Sequence, residues 1–153
     1  MPKIRRYEDR DFLDYAATLE RTTSLGKEAG DDLKARFEKM TDADQTWVAE
    51  VEGRGVGFMI LTPNDDGSLE IDWLDVHPDF QTHGIGSLLV RRAEEIAKDK
   101  GIHELSIHTW ISNKKMVNLS IKNGFETFAT IKDFYGKGID ALRLKKKTRN
   151  HTQ

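Results

Sequence analysis

Two carboxylates, an imidazole and a glycine-bearing turn hold the chemistry this chain can do. The turn is Val76-His77-Pro78-Asp79-Phe80-Gln81-Thr82-His83-Gly84-Ile85-Gly86, entered from an apolar strand-like run and left by a helix-like one. Glycines at the mouth of a helix let the backbone come close to a ligand, and the first helix N–H groups, unpaired and at the positive end of the dipole, then point at an anion. No Gly-Lys-Ser/Thr follows, so the lysine and hydroxyl of a P-loop are missing, and the three-glycine spacing of a dinucleotide fingerprint is missing too. The strand before the turn, Leu69-Glu70-Ile71-Asp72-Trp73-Leu74-Asp75, alternates. Alternation places Glu70 and Asp72 on one face with Leu74 and Val76. Carboxylates on so apolar a face are costly to bury unless something pairs or uses them. His108, on a later strand, offers a neutral imidazole suited to proton removal near pH 7. His77 fills the turn and His83 lies within reach of a bound phosphate. The five histidines show no paired ligand spacing, which argues against zinc.

The run from Gln81 to Gly86, with its Val-x-Pro lead-in, resembles the Gln/Arg-x-x-Gly-x-Gly/Ala signature of the GNAT superfamily of N-acetyltransferases. A second stretch, Asn113-Lys114-Lys115-Met116-Val117-Asn118-Leu119-Ser120-Ile121-Lys122-Asn123-Gly124-Phe125, is similar to the family's asparagine-led helix closing on Gly-Phe. Phe134-Tyr135-Gly136-Lys137-Gly138-Ile139-Asp140-Ala141-Leu142 resembles the closing hairpin of members that act on protein or peptide amines. The resemblance spans about Leu69 to Leu142. It implies an acetyl-CoA cosubstrate, without metal, and acetyl transfer to a primary amine by direct attack in a ternary complex. A protein N-terminus or lysine is favoured as acceptor, and a small-molecule amine is the other possibility.

The resemblance also implies roles. Backbone groups of Leu74, Asp75 and Val76 would meet the pantetheine amides, with the Val76 N–H polarising the thioester carbonyl. Gln81, Thr82, His83, Gly84, Ile85, Gly86 and Ser87 would wrap the pyrophosphate, and Asn113 would meet the pantetheine or adenosine side. Glu70 and Asp72 stand eleven and nine residues before Gln81, where the family carries its base; Glu70 is favoured, with His108 as rival. Ser120 replaces the family's usual tyrosine acid, so the acid is open between a weak Ser120 and Tyr135 of the closing hairpin. Loss of that tyrosine gives the alternative of a non-catalytic acyl-CoA-binding or sensing module.

The elements that must position these residues follow from periodicity. Ile4 to Tyr7 opens a sheet, and Phe12, Tyr15, Ala16 and Leu19 recur at helical spacing. Leu33, Phe37 and Met40 predict a second helix led by Asp31 and Asp32, with the polar Thr22–Gly30 stretch before it. Thr46–Val51 and Val56–Leu61, joined through Glu52-Gly53-Arg54-Gly55, form a hairpin that continues into Leu69–Val76. Leu88, Leu89, Ala93, Ile96 and Ala97 stripe the next helix, where Glu94 and Lys98 are set for an i,i+4 pair, and Leu105–Ile111, a helix over Asn113–Asn123, and a final hairpin of Phe125–Ile131 with Ile139–Leu144 complete the chain. These predict an α/β fold: a mixed, mostly antiparallel sheet of about six to seven strands flanked by about four helices. The GNAT resemblance adds central parallel strands, Leu69–Val76 and Leu105–Ile111, that splay apart.

Composition sets the outer bounds. A chain of 153 residues, 37% hydrophobic with three prolines, fits one domain over residues 1–147 followed by a basic polar tail, 148–153. The basic run from Lys145 to Arg149 reads as solvated. Net charge is −2, with charges of both signs interspersed, so nucleic-acid binding is not expected. No apolar run approaches the ~20 residues of a membrane span. Zero cysteines exclude disulfides, thiolate ligands and a cysteine nucleophile, and the natural expectation is a cytoplasmic monomer or homodimer.

Overall fold

The computed structural model describes residues 1–22 and 45–148. The predicted second helix (Asp31, Asp32, Leu33, Phe37, Met40), all but the first residue of the Thr22–Gly30 stretch, and the tail beyond Thr148 lie outside these residues. The described chain runs β1 (Lys3–Arg6), a 3₁₀ turn (Asp9–Asp11), α1 (Phe12–Thr22), β2 (Gln45–Val51), β3 (Arg54–Pro63) and β4 (Leu69–Val76). A second 3₁₀ turn (Pro78–Phe80) leads to α2 (Ile85–Asp99), β5 (Glu104–Trp110), α3 (Lys114–Lys122), β6 (Glu126–Ile131) and β7 (Ala141–Lys147).

The seven strands form one sheet in the order β1-β2-β3-β4-β5-β7-β6, antiparallel throughout except for β4 beside β5. β2 and β3 are joined by two residues, Glu52 (φ 51°) and Gly53 (φ 78°), the paired positive angles that match a tight hairpin to strand twist. The apolar stripe of α2 (Ile85, Leu89, Val90, Ala93, Ile96, Ala97) packs on one sheet face with Ala49, Met59, Leu61, Ile71, Leu105 and Ile107. α1 covers part of the other face, where Tyr15 and Leu19 meet Val48, Phe58 and Trp73. Each fully buried Leu, Ile or Phe in these layers contributes about 1.5–3 kcal/mol.

Two backbone features shape the centre. Parallel pairing between β4 and β5 covers only Leu69–Ile71 against Leu105–Ile107; beyond it β4 remains paired with β3 and β5 with β7, so the two strands part. The predicted splay is therefore present. In addition, the β3–β4 register passes from Ile60↔Trp73 to Leu61↔Ile71, leaving Asp72 as the extra residue of a bulge. This corrects the simple alternation expected for β4. Ile71, Leu74 and Val76 face α2, whereas Trp73 packs with the α1 cluster and Glu70 lies opposite Ile71; Glu70 does not share a face with Leu74 and Val76.

Two smaller expectations are also corrected. Glu94 forms an ion pair with Lys146 of β7, and Arg143, Lys145, Lys146 and Lys147 belong to β7, with the Thr148 N–H donating to the His103 carbonyl at 2.9 Å. The sheet extends further toward the C-terminus than a solvated basic run predicts. Among the described residues no helix is long and apolar enough to cross a membrane.

Candidate active site

The glycine turn forms a helix entrance without a side-chain cap. Thr82 (φ 73°) and Gly84 (φ 76°) both take left-handed backbone, and α2 begins at Ile85 with Gly84 as N-cap. The Leu88 N–H donates to the Gly84 carbonyl at 3.1 Å, so by helix geometry the N–H groups of Ile85, Gly86 and Ser87 have no partner within α2. Thr82, His83 and Gly84 are exposed, and a Cβ on Gly84 would meet nothing within 4 Å. An exposed N-terminus of a 15-residue helix, with open space above it, fits a phosphate group. Gly86 also meets α3: a Cβ there would stand 3.0 Å from Leu119 Cδ2, so its missing side chain lets α2 lie against α3.

Side chains around the turn divide into supports and exposed groups. Gln81 donates from Nε2 to the Val76 carbonyl at 3.1 Å and accepts from Lys115 Nζ at 2.9 Å, tying the turn to β4 and α3. His77 is buried and caps the 3₁₀ turn, its Nδ1 accepting from the Asp79 N–H at 3.2 Å, and burial lowers its pKa. It fills the turn, as expected. His83 Nδ1 lies 3.1 Å from the Gln81 carbonyl on the exposed rim. Ser87 is buried and accepts from Asn123 Nδ2 at 3.1 Å, so its hydroxyl joins α2 to the end of α3. Asn113 caps α3, its side-chain oxygen accepting from the Met116 N–H at 3.3 Å.

The turn stands beside the opening between β4 and β5. Because the His77 N–H donates to the Val56 carbonyl at 2.7 Å, alternation along the antiparallel pair directs the Asp75 peptide groups toward β3 and those of Leu74 and Val76 into the opening. The backbone groups of Leu74 and Val76 thus face the opening, and those of Asp75 face β3. The Asp75 side chain accepts from Trp73 Nε1 at 2.6 Å, and burial pushes its carboxyl up to about 6 against the opposing effect of that bond.

Glu70 and His108, weighed separately in the sequence, are joined here. Glu70 Oε1 accepts from His108 Nδ1 and from the Ser106 hydroxyl, the latter at 3.2 Å. A carboxylate only accepts, so the neutral imidazole tautomer that satisfies this contact carries its hydrogen on Nδ1 and its lone pair on Nε2. The pair lies where the strands separate: Ile107 is the last β5 residue paired with β4, and His108 is the next. Asp72, in the bulge, is two residues away along β4. Over the pair folds the loop joining β6 and β7. Phe134 stacks on His108 with ring centroids 5.3 Å apart, and Tyr135 stands edge-on to Trp110 at 5.3 Å. Trp110, Phe134 and Tyr135 keep 41%, 51% and 37% of their surface exposed, forming an aromatic shelf beside two carboxylates. Burial first, then the charges of Glu70 and Asp72, pushes the Tyr135 phenol up to about 12.

Ser120, expected as the weak acid, stands inside its own helix. It is wholly buried in α3, and its hydroxyl donates to the Met116 carbonyl at 2.7 Å, so its proton is committed within its own helix. Three hydrogen-bonded neighbours of these residues were not read from the sequence: Lys115, which the helix spacing of Asn113 could have placed beside the turn, and Asn64 and Ser106, which only tertiary structure brings to Glu70. Among the described residues no cluster of three or more His, Cys, Asp or Glu could hold a metal ion.

The model of the acetyltransferase (GNAT) family matches residues 7–125. An uncharacterized N-acetyltransferase of Methanocaldococcus jannaschii is 32% identical over 97 residues, covering 60% of this chain and 43% of the relative, so this chain matches less than half the length of that protein. Among solved structures, the ribosomal-protein-S18-alanine N-acetyltransferase of Escherichia coli superposes with a TM-score of 0.80 at 17% identity, over 97% of this chain and 94% of that one. A GNAT family acetyltransferase of Elizabethkingia anophelis with acetyl-CoA bound gives 0.75 at 22% identity, over 95% and 97%. These structures share the fold, and the family match covers most of the described chain. The chain belongs to the GNAT acetyltransferase family.

Proposed function

We propose that this chain transfers an acetyl group from acetyl-CoA to a primary amine within a ternary complex, and that the amine is a protein N-terminus or lysine. The observation that carries the reading is the uncapped entrance of α2 lying beside the β4–β5 opening, with the Glu70–His108 pair at the point of separation. Acetyl-CoA supplies the acetyl group as a thioester. The N–H groups of Ile85, Gly86 and Ser87 would hold its diphosphate with Lys115 nearby, and the peptide groups of Leu74 and Val76 would line its pantetheine.

The amine must be neutral to attack. At pH 7 roughly one lysine in two thousand is neutral, against roughly a tenth or more of α-amines. His108 Nε2 takes the proton, and Glu70 holds the ring and stabilises the imidazolium that forms. Glu70 therefore acts through His108, which joins the two base candidates into one pair. Tyr135, at about 12, stays protonated, but transfer from it to a thiolate near 8.5 runs about 5 kcal/mol uphill, so it serves to orient. The Trp110, Phe134 and Tyr135 shelf, with Glu70 and Asp72 beside it, suits a cationic amine on a peptide. The name of the Escherichia coli structure likewise gives an alanine of a ribosomal protein as acceptor.

The commitment of the Ser120 hydroxyl favours one second reading, a non-catalytic acyl-CoA-binding module. Incubation with isotope-labelled acetyl-CoA and a panel of peptides, proteins and small amines, followed by mass spectrometry, separates the two. Labelled acetyl on a peptide or protein amine is the expected product. Binding of acetyl-CoA without thiol release across the panel would overturn transfer.

A further inference from the structure

The turn between β3 and β4 lies away from the helix entrance, yet a chain of hydrogen bonds runs from it to the Glu70–His108 pair. Asn64 stands at its centre. Its Nδ2 donates to the Ser68 hydroxyl at 2.8 Å and to the Ser106 hydroxyl at 3.1 Å, using both amide hydrogens. Ser68 passes its own hydrogen to Asp66 Oδ1 at 2.6 Å, and the Ser68 N–H joins the same oxygen at 2.9 Å. Ser106, wholly buried, passes its hydrogen to Glu70 Oε1 at 3.2 Å. The turn that holds Asn64 is closed by its own backbone, with Asn64 N–H to the Ser68 carbonyl at 2.9 Å and Gly67 N–H to the Asn64 carbonyl at 3.1 Å.

The direction of every bond in this chain is fixed by donor chemistry. A primary amide nitrogen only donates, so both serine oxygens act as acceptors toward Asn64. Each serine has one hydroxyl hydrogen, and each directs it at a carboxylate. Ser106 thus has no freedom to turn its hydrogen elsewhere, and Glu70 receives one donor from Ser106 and one from His108.

We propose that Asn64 and Ser106 are positioning residues for the reaction: by orienting the Ser106 hydroxyl onto Glu70, they hold that carboxylate in the pose that keeps the hydrogen of His108 on Nδ1 and leaves Nε2 as the base. The inference rests on the reading of Glu70 and His108 as the proton-handling pair. The network is buried at its serines, and a missing partner there leaves a hydroxyl unsatisfied away from water. Outer groups that fix the tautomer of a functional histidine are a general device.

The test is a tautomer measurement that needs no turnover, run beside kinetics on the full chain. Nitrogen-15 shifts of His108 at neutral pH report which ring nitrogen holds the hydrogen. Wild type is expected to show Nδ1–H, Ser106→Ala and Asn64→Asp a tautomeric mixture, and Ser106→Thr, which keeps the hydroxyl, a return to Nδ1–H. Asn64→Asp reverses the polarity of the bond to Ser106 with little change of shape, so it separates hydrogen direction from packing. In kinetics, kcat for Ser106→Ala falls ~10-fold or more with the KM for acetyl-CoA unchanged, and the acid limb of the kcat/KM profile shifts by about half a pH unit or more. An unaltered Nδ1–H signal in folded Ser106→Ala and Asn64→Asp would overturn the proposal. A change of tautomer in a protein that acetylates no amine would leave the positioning in place and overturn the transferase reading instead.

Discussion

Asp75→Asn is expected to stabilise the protein at neutral pH and to do so less as the pH falls. The carboxyl of Asp75 is half-buried on the α1 face, with Trp73 Nε1 donating at 2.6 Å, and its pKa is pushed from 3.8 to about 6. A raised folded-state value means that the unfolded chain loses its proton first on going up in pH. Below about pH 3.8 both states are protonated and the group has no net effect. Between there and about 6 the folded state is progressively penalised, and above that the penalty is constant. A difference of about 2 units is worth about 3 kcal/mol at 1.36 kcal/mol per unit, which is an upper value for a half-buried group. Asparagine keeps the acceptor for Trp73 and removes the titration. Urea unfolding followed by tryptophan fluorescence, from pH 3.5 to 8, should give a difference between variant and wild type that grows by about 1–3 kcal/mol in favour of the variant. Parallel pH curves for the two proteins, or a gain confined to acid pH, would refute the burial argument.

Other perturbations have defined outcomes. His108→Gln and Glu70→Gln should each lower kcat by ~10²-fold or more while leaving acetyl-CoA affinity intact, as read by steady-state kinetics beside calorimetric titration. Gly84→Ala forces a Cβ onto left-handed backbone at the entrance of α2, so stability should fall by about 1 kcal/mol and acetyl-CoA affinity should fall with it, measured by thermal shift with and without ligand. Gly86→Ala drives a methyl to 3.0 Å from Leu119 Cδ2, so it should cost about 1–3 kcal/mol in chemical unfolding, and Leu119→Ala in the same chain should recover part of it. Lys115→Ala should raise the KM for acetyl-CoA several-fold at low salt and less at 0.5 M salt, because the ammonium is exposed and its effect is screened.

What the sequence disclosed and what it withheld follow from the range of the interactions involved. The turn at Gln81–Gly86, the helix closing on Gly124-Phe125, and the meander of β2, β3 and β4 depend on local backbone chemistry, and all were legible, whereas the capping role of Asn113 was not. The face assignment on β4 was not. A single bulge residue, Asp72, shifts the alternation, and nothing in Leu69–Val76 marks where the extra residue falls. Gly86 reads identically for ligand approach and for helix packing until Leu119, thirty-three residues later, is placed against it. The meeting of Glu70 with His108 depends on the parallel register Glu70↔Ser106, which is set by tertiary packing, so two residues weighed as rivals turn out to be partners. Ser120 shows the opposite limit: a resemblance supplied a role for its position, and no local signal shows that its buried hydroxyl donates to the Met116 carbonyl of its own helix.

The most direct test of the account is an amide nitrogen–hydrogen correlation spectrum recorded during titration with acetyl-CoA. The amides of Thr82 through Ser87 and of Val76 should shift together and saturate, with desulfo-CoA reproducing the changes at the helix entrance. Saturable binding that leaves those amides unmoved, or no binding at millimolar ligand, would contradict the assignment of this entrance as the diphosphate cradle.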